Sequence, residues 1–90
     1  MEPAVALSEL ERLAERLGIE VRREAMPVAG GLCRVRGRWV LYVNSALSTA
    51  ERVEVMVEAL RGLDLSGVYV RPALRQLLEP SEDAEPPSER

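Results

Sequence analysis

The sequence predicts an α+β domain in which two or three helices pack on a small three-stranded antiparallel sheet, in the order α-β-β-β-α-α. Apolar residues recur every three or four positions before Gly18 and again after Ser48, as in amphipathic helices. Between these two segments apolar and polar residues alternate, as in strands. A chain of 90 residues has the length of one domain. In this domain the helices are expected to pack on one face of the sheet.

Residues 1–79 are expected to form this domain, and residues 80–90 a disordered acidic tail. The segment "PSEDAEPPSER" has three prolines, four acidic residues and no apolar residue larger than Ala84. Such a composition cannot bury enough apolar surface to offset the entropy lost on ordering.

The first helix is predicted in "LSELERLAERLG", residues 7–18. Ser8 and Glu11 have the spacing of a capping box, and Pro3 offers a start one turn earlier. Gly18 is placed to end the helix in a left-handed conformation. A first strand is then predicted from Ile19 to Glu24, followed by the loop "MPVAGG".

The segment "CRVRGRWVLYVN" predicts a β-hairpin of two strands, Leu32–Arg36 and Arg38–Asn44, that reverses at Gly37. Whether the turn has two or three residues is open. In the second strand both faces are apolar, which indicates either a strand covered on both sides or a face offered to a partner. Cys33 alternates with the polar residues of its strand and is expected to be a small buried side chain.

Two further helices are predicted from their termini. In "ALSTAERVEVMVEALRGLDL" Ser48 and Glu51 form a second potential capping box, and Gly62 lies near the end of the helix. The segment "RPALRQLLE" predicts a short third helix with Pro72 near its first position.

Charge and composition exclude several classes of function. Residues 1–79 carry 11 acidic residues and 11 arginines, so the whole net charge of −3 lies in the tail. A neutral body disfavours nucleic-acid binding, which depends on a basic face. Histidine and lysine are absent, which removes the usual zinc ligand and the usual acid–base group near neutral pH. We therefore expect no metal and no cofactor.

No segment is predicted to cross a membrane, and we expect a cytoplasmic protein.

Two groups of charged residues are candidate sites. Arg34, Arg36 and Arg38 could bind an anion, and five guanidinium groups would line one edge if Arg22 and Arg23 lay on an adjacent strand. The alternative is a charged hairpin that resists edge pairing. On the second helix Glu54 and Glu58 share a face as a potential carboxylate pair, or else as a solvated face paired with the arginines at 52 and 61.

The stretch from Ile19 to Asp64 resembles the zinc metallopeptidase-like domains called ImmA/IrrE-type. The matching pieces are Gly30-Gly31, "RWVLYVN", "LSTAER" and the helix "VEVMVEALRGLD". In place of the family's H-E-x-x-H motif this chain has Glu58, Ala59 and Gly62, so none of the three functional residues carries over. The resemblance implies a scaffold that has lost its metal, or an interaction domain built on the same frame.

These observations favour a non-enzymatic module that acts through contacts with a protein partner or with itself. A homodimer is predicted in which the two-faced strand supplies the candidate interface residues Trp39, Val40 and Tyr42. The alternatives are a nucleic-acid or anionic-ligand binder that uses the hairpin arginines, and an enzyme with a carboxylate site at Glu54 and Glu58.

Overall fold

The computed structural model describes residues 1–79 and confirms the predicted α+β fold and the order of its elements. The predicted acidic tail, residues 80–90, lies outside the described residues. The elements are α1 (Pro3–Arg16), β1 (Glu20–Glu24), β2 (Gly30–Val35), β3 (Arg38–Asn44), α2 (Thr49–Arg61) and α3 (Pro72–Leu78).

The sheet is mixed, so the prediction that it is wholly antiparallel was wrong. Its strand order is β1-β3-β2, with β3 in the centre. β2 pairs with β3 antiparallel, whereas β1 pairs with β3 parallel. The central position suits β3 because its residues are apolar on both faces. On each face, side chains from both neighbouring strands flank those of a central strand. β1 and β2 take the two edges.

The segment between β1 and β2 carries the chain across the end of β3, and Asn44 fixes it there. The Asn44 side chain donates a hydrogen bond to the carbonyl oxygen of Met26 at 3.0 Å, and its backbone N–H donates to Ala29 at 2.9 Å. The N–H of Ser45 donates to the carbonyl oxygen of Glu24 at 3.0 Å. These bonds satisfy backbone groups at the end of the sheet and hold both edge strands against β3.

The hairpin turn has two residues, which answers the question of register. Val35 pairs with Arg38, so the loop consists of Arg36 and Gly37. Their φ angles are 53° and 81°, as a type I′ turn requires at both central positions. Glycine adopts this conformation freely, whereas an arginine is strained in it.

Helix α1 begins at Pro3, more than one turn before Ser8, so the capping box predicted at Ser8 does not form. Proline at the first helical position lacks only an N–H that would be unpaired in any case. At the other end the predicted stop at Gly18 is confirmed, because Gly18 has φ 80° and the N–H of Ile19 donates to Ala14. The capping box at the start of α2, between Ser48 and Glu51, is also present.

Helices α1 and α2 pack on one face of the sheet, and α3 packs against these two helices. Leu41 and Val43 of β3 belong to a core that also includes Leu10, Leu13, Met56, Leu60, Val70, Leu74 and Leu78. The opposite face, here called the outer face, is covered by no helix of residues 1–79. Cys33 lies on that face of an edge strand and is exposed, so the expectation of a buried thiol was wrong. Within residues 1–79 no helix has the length and apolar character that a membrane span requires.

Candidate functional site

One edge of the sheet, formed by β2, has backbone groups available for a further strand. In a two-residue hairpin the residues that flank the loop form a hydrogen-bonded pair, and the direction of the bonds then alternates along the strand. Val35 and Cys33 therefore direct their N–H and C=O groups toward β3, whereas Arg34 and Leu32 direct theirs away from it. Among the described residues β2 has no second neighbouring strand.

A groove lies between this edge and α2. It consists of two adjoining hollows of about 300 and 320 Å³ that share Ala29, Val55 and Glu58. Leu32 and Ala59 line the first hollow, and both are half-buried, as is Val55. This groove was not predicted from the sequence. Its signal was the spacing of Val55 and Ala59 at i and i+4, beside the buried stripe of Met56, Val57 and Leu60.

The rim of the groove on α2 is acidic. Glu51, Glu54 and Glu58 border the second hollow, and all three are exposed. The predicted pairing of Glu54 and Glu58 with nearby arginines is absent within residues 1–79, since Arg52 donates instead to the carbonyl oxygens of Ser45 and Leu47. Arg61 similarly donates to the last carbonyl groups of α3. The two glutamates therefore face solvent.

The hairpin arginines do not share one edge. Arg34 lies on the helix-facing side of β2, where its guanidinium stacks 4.8 Å from the centre of the Trp39 ring. Arg23 also faces the helices and forms an ion pair of 2.8 Å with Glu11. The predicted group of five arginines is thus divided between the two faces of the sheet, because consecutive strand residues point to opposite faces. The group does not share one edge either, because β1 lies beside β3 and not beside β2.

Three arginines instead meet on the outer face. Arg22, Arg36 and Arg38 line a cavity of about 400 Å³ together with Glu20, Val35 and Val40. Glu20 accepts a hydrogen bond of 2.8 Å from Arg22. This bond, with the positive charges of Arg22 and Arg38 beside it, lowers the pKa of the Glu20 carboxyl below its ordinary value. The cavity therefore combines one paired carboxylate with three guanidinium groups.

The candidate interface residues of β3 lie in three different environments. Val40 faces outward yet is only 1% exposed, because the side chains around the arginine-lined cavity cover it. Tyr42 is half-buried on the same face, and Trp39, on the other face, is 38% exposed. Since β3 is central, its backbone is paired on both sides and cannot add a strand from another chain.

The positions that replace the metallopeptidase motif lie on α2 and at its end. Glu58 and Ala59 border the groove, whereas Gly62 is the residue that caps the helix. Within residues 1–79 no three Cys, Asp or Glu side chains are grouped as a metal site would require. The resemblance to the ImmA/IrrE-type domains stays a prediction.

A comparison of the chain with protein-family models, with curated proteins and with solved structures finds no match.

Proposed function

We propose that the chain is a non-enzymatic interaction module whose partner is a second copy of itself, joined through the edge of β2. The observation that carries this proposal is the edge of β2, which pairs with no strand of residues 1–79, beside the half-buried Val55 and Ala59 of α2. Antiparallel pairing of two β2 strands about a two-fold axis would give a six-stranded sheet. Such an isologous contact covers the same surface on both chains.

The spacing of the elements supports this arrangement. α2 packs against both β2 and β3. Neighbouring strands are about 4.8 Å apart, so two α2 helices centred on their own β2–β3 pairs would lie roughly 10 Å apart across the joint. Helices pack at 8–10 Å, and the small side chain of Ala59 would permit that approach. The groove of each copy would be closed by the helix of the other.

Charge complementarity favours one register of this proposed pairing. With Leu32 on the axis, Gly30 of one copy lies opposite Arg34 of the second. Gly30 has no side chain, and Glu58 borders the same hollow. The guanidinium of Arg34 could then reach Glu58 of the second copy, and the two-fold axis would produce this pair twice. Like charges at the same place would oppose association.

The other edge of the sheet is a poorer candidate for pairing. Four of the five residues of β1 are charged, which is a common protection of an edge strand against addition of another. In β2 only Arg34 is charged. The acidic rim of α2 and the division of the hairpin arginines between two faces also favour a protein partner over nucleic acid, whose phosphates require a continuous basic surface.

We expect a charge exchange to test the interface. Wild-type protein is expected to sediment as a dimer at about 100 µM. Arg34→Glu and Glu58→Arg should each weaken association by about tenfold or more, because each places like charges opposite one another. The double variant should recover the dimer, since the exchange restores opposite charges. Glu15→Arg makes the same charge change at an exposed position of α1 and should leave the dimer intact.

Two results would contradict this interface. A wild-type chain that is monomeric at about 100 µM would rule out the proposed dimer. A dimer that withstands both single substitutions but is separated by Tyr42→Glu would place the interface on the outer face, at Val40 and Tyr42, two of the three residues first predicted from the sequence. Circular dichroism of every variant separates loss of association from loss of folding.

A further inference from the structure

We propose that the cavity on the outer face of the sheet binds a small phosphate-bearing ligand through Arg22, Arg36 and Arg38. This site is separate from the groove along β2, because it opens on the face of the sheet that the helices do not cover. Its volume of about 400 Å³ is within the range of small-molecule sites. Val35 and Val40 give it an apolar floor, and the charged side chains form its walls.

The charges in the cavity are unbalanced in favour of an anion. Glu20 and Arg22 neutralise each other through their 2.8 Å ion pair. Arg36 and Arg38 form no ion pair within residues 1–79, which leaves a charge of +2 at the wall. A phosphate monoester at neutral pH carries close to −2. Guanidinium groups bind phosphate oxygens in a bidentate manner, so two arginines can hold two edges of one tetrahedral group.

Arg22 is held in place by a residue of β3, and Arg36 occupies a strained position in the hairpin turn. Arg22 lies over the Tyr42 ring, 6.0 Å from its centre, and its Nη1 is 3.5 Å from the Tyr42 hydroxyl oxygen. Arg36 occupies a left-handed position, φ 53°, in which asparagine or glycine would be less strained. The residue that lines the cavity at this turn position is thus an arginine, although the turn conformation favours asparagine or glycine. Strained residues of this kind are concentrated at ligand sites.

The neighbouring charges favour a small ligand over a nucleic acid. Glu20 lines the cavity itself, and Glu24 belongs to the same face of β1. Arg23 and Arg34 lie on the other side of the sheet and cannot extend the basic surface. A polynucleotide would bring several phosphates against this mixed face, whereas a single phosphate group needs only the three arginines.

The test uses inorganic phosphate and pyrophosphate as probes, at low ionic strength, followed by backbone amide chemical shifts. Saturable shifts are expected at residues 36–40 and at the backbone of Arg22, with a dissociation constant of about 1 mM or lower for pyrophosphate. Arg38→Gln should weaken binding by about tenfold. Arg23→Gln, on the same strand as Arg22 but on the opposite face, should leave it unchanged.

Arg36→Asn separates the loss of a ligand group from the loss of the fold. This change gives the turn its preferred Asn-Gly sequence, so the melting temperature should rise by about 4 °C while binding of pyrophosphate weakens. A single-stranded oligonucleotide should bind no more tightly than pyrophosphate.

Three outcomes would overturn the assignment. The first is an absence of saturable shifts up to about 10 mM pyrophosphate, a concentration well above the constant expected. The second is an equal loss of binding in Arg23→Gln and Arg38→Gln, which would indicate a general charge effect. The third is tight oligonucleotide binding that depends steeply on salt, which would identify nucleic acid as the ligand instead. None of these outcomes bears on the dimer, because the charge-exchange variants alter residues outside the cavity.

Discussion

Replacing Gly30 with alanine is expected to destabilise the domain by about 3 kcal/mol, a loss that combines backbone strain with overpacking. A Cβ at this position would overlap the carbonyl oxygen of Tyr42 and lie 3.0 Å from its carbonyl carbon and 3.2 Å from the Cα of Val43. All three are backbone atoms of the central strand and cannot rotate away. Gly30 also has φ 140°, a conformation that residues with a side chain rarely adopt.

The expected fall in melting temperature is roughly 12–24 °C for a domain of this size, measured by circular dichroism. Gly31→Ala is the matched control. A Cβ at Gly31 would meet nothing within 4 Å, and its φ angle is an ordinary one. Stability should then change by less than about 0.5 kcal/mol, or increase slightly as strand glycine is replaced. Equal effects of the two substitutions would mean that β2 does not lie against β3 as described.

Gly30→Ala also connects the fold to the proposed interface. If β2 moves away from β3 to admit the new methyl group, Leu32 and Arg34 move with it. The edge presented to a second copy would then be displaced from Glu58. We expect any folded fraction of the variant to associate more weakly than Gly31→Ala, in the same sedimentation experiment.

Local features of the sequence predicted the order of the elements and most of their ends. The capping box at Ser48 and the stop at Gly18 each depend on residues a few positions apart, so short-range chemistry is sufficient to place them. The hairpin reversal at Gly37 is a feature of the same kind. The capping box predicted at Ser8 was wrong because the same sequence pattern occurs here inside a helix that begins at Pro3.

The parallel pairing of β1 with β3 could not be obtained in this way. It depends on which strand takes the centre of the sheet, and that is decided by packing between segments distant in sequence. The pattern of β3, with Leu41 on one face and Val40 on the other, was the available signal, because both side chains are buried. An edge strand with that pattern would have left one of them in water.

The candidate sites depended on the same unknown. Arg34 and Arg38 are close in sequence, but the two-residue turn places them on opposite faces of the sheet. The arginine that joins Arg36 and Arg38 in the cavity is Arg22, which reaches them across the parallel pair of β1 and β3. The groove beside β2 likewise depends on the position of β2 at the edge of the sheet, which the sequence did not predict.

Leu41 lies at the centre of the fold, and Leu41→Ala is expected to cost about 3 kcal/mol. Its side chain is 0% exposed, and on the sheet it is flanked by Val21 of β1 and Leu32 of β2. The substitution removes three carbon atoms whose contacts come from both neighbouring strands and from the helices. Because β3 is paired on both sides, its backbone cannot shift to close the cavity, and the loss should lie well within the range measured for buried leucine.

The melting temperature of Leu41→Ala should fall by roughly 12–24 °C, and the midpoint of urea unfolding should fall with an unchanged slope. Val28→Ala provides the contrast, since Val28 is 62% exposed in the loop between β1 and β2 and should change stability by less than about 0.5 kcal/mol.

Both proposed sites lie on strands that pair with β3, so partial unfolding of Leu41→Ala should weaken dimer formation and pyrophosphate binding together. Arg38→Gln and Arg34→Glu should each affect only one of them. A fall of less than about 4 °C in Leu41→Ala would show that the centre of the core lies elsewhere than at β3.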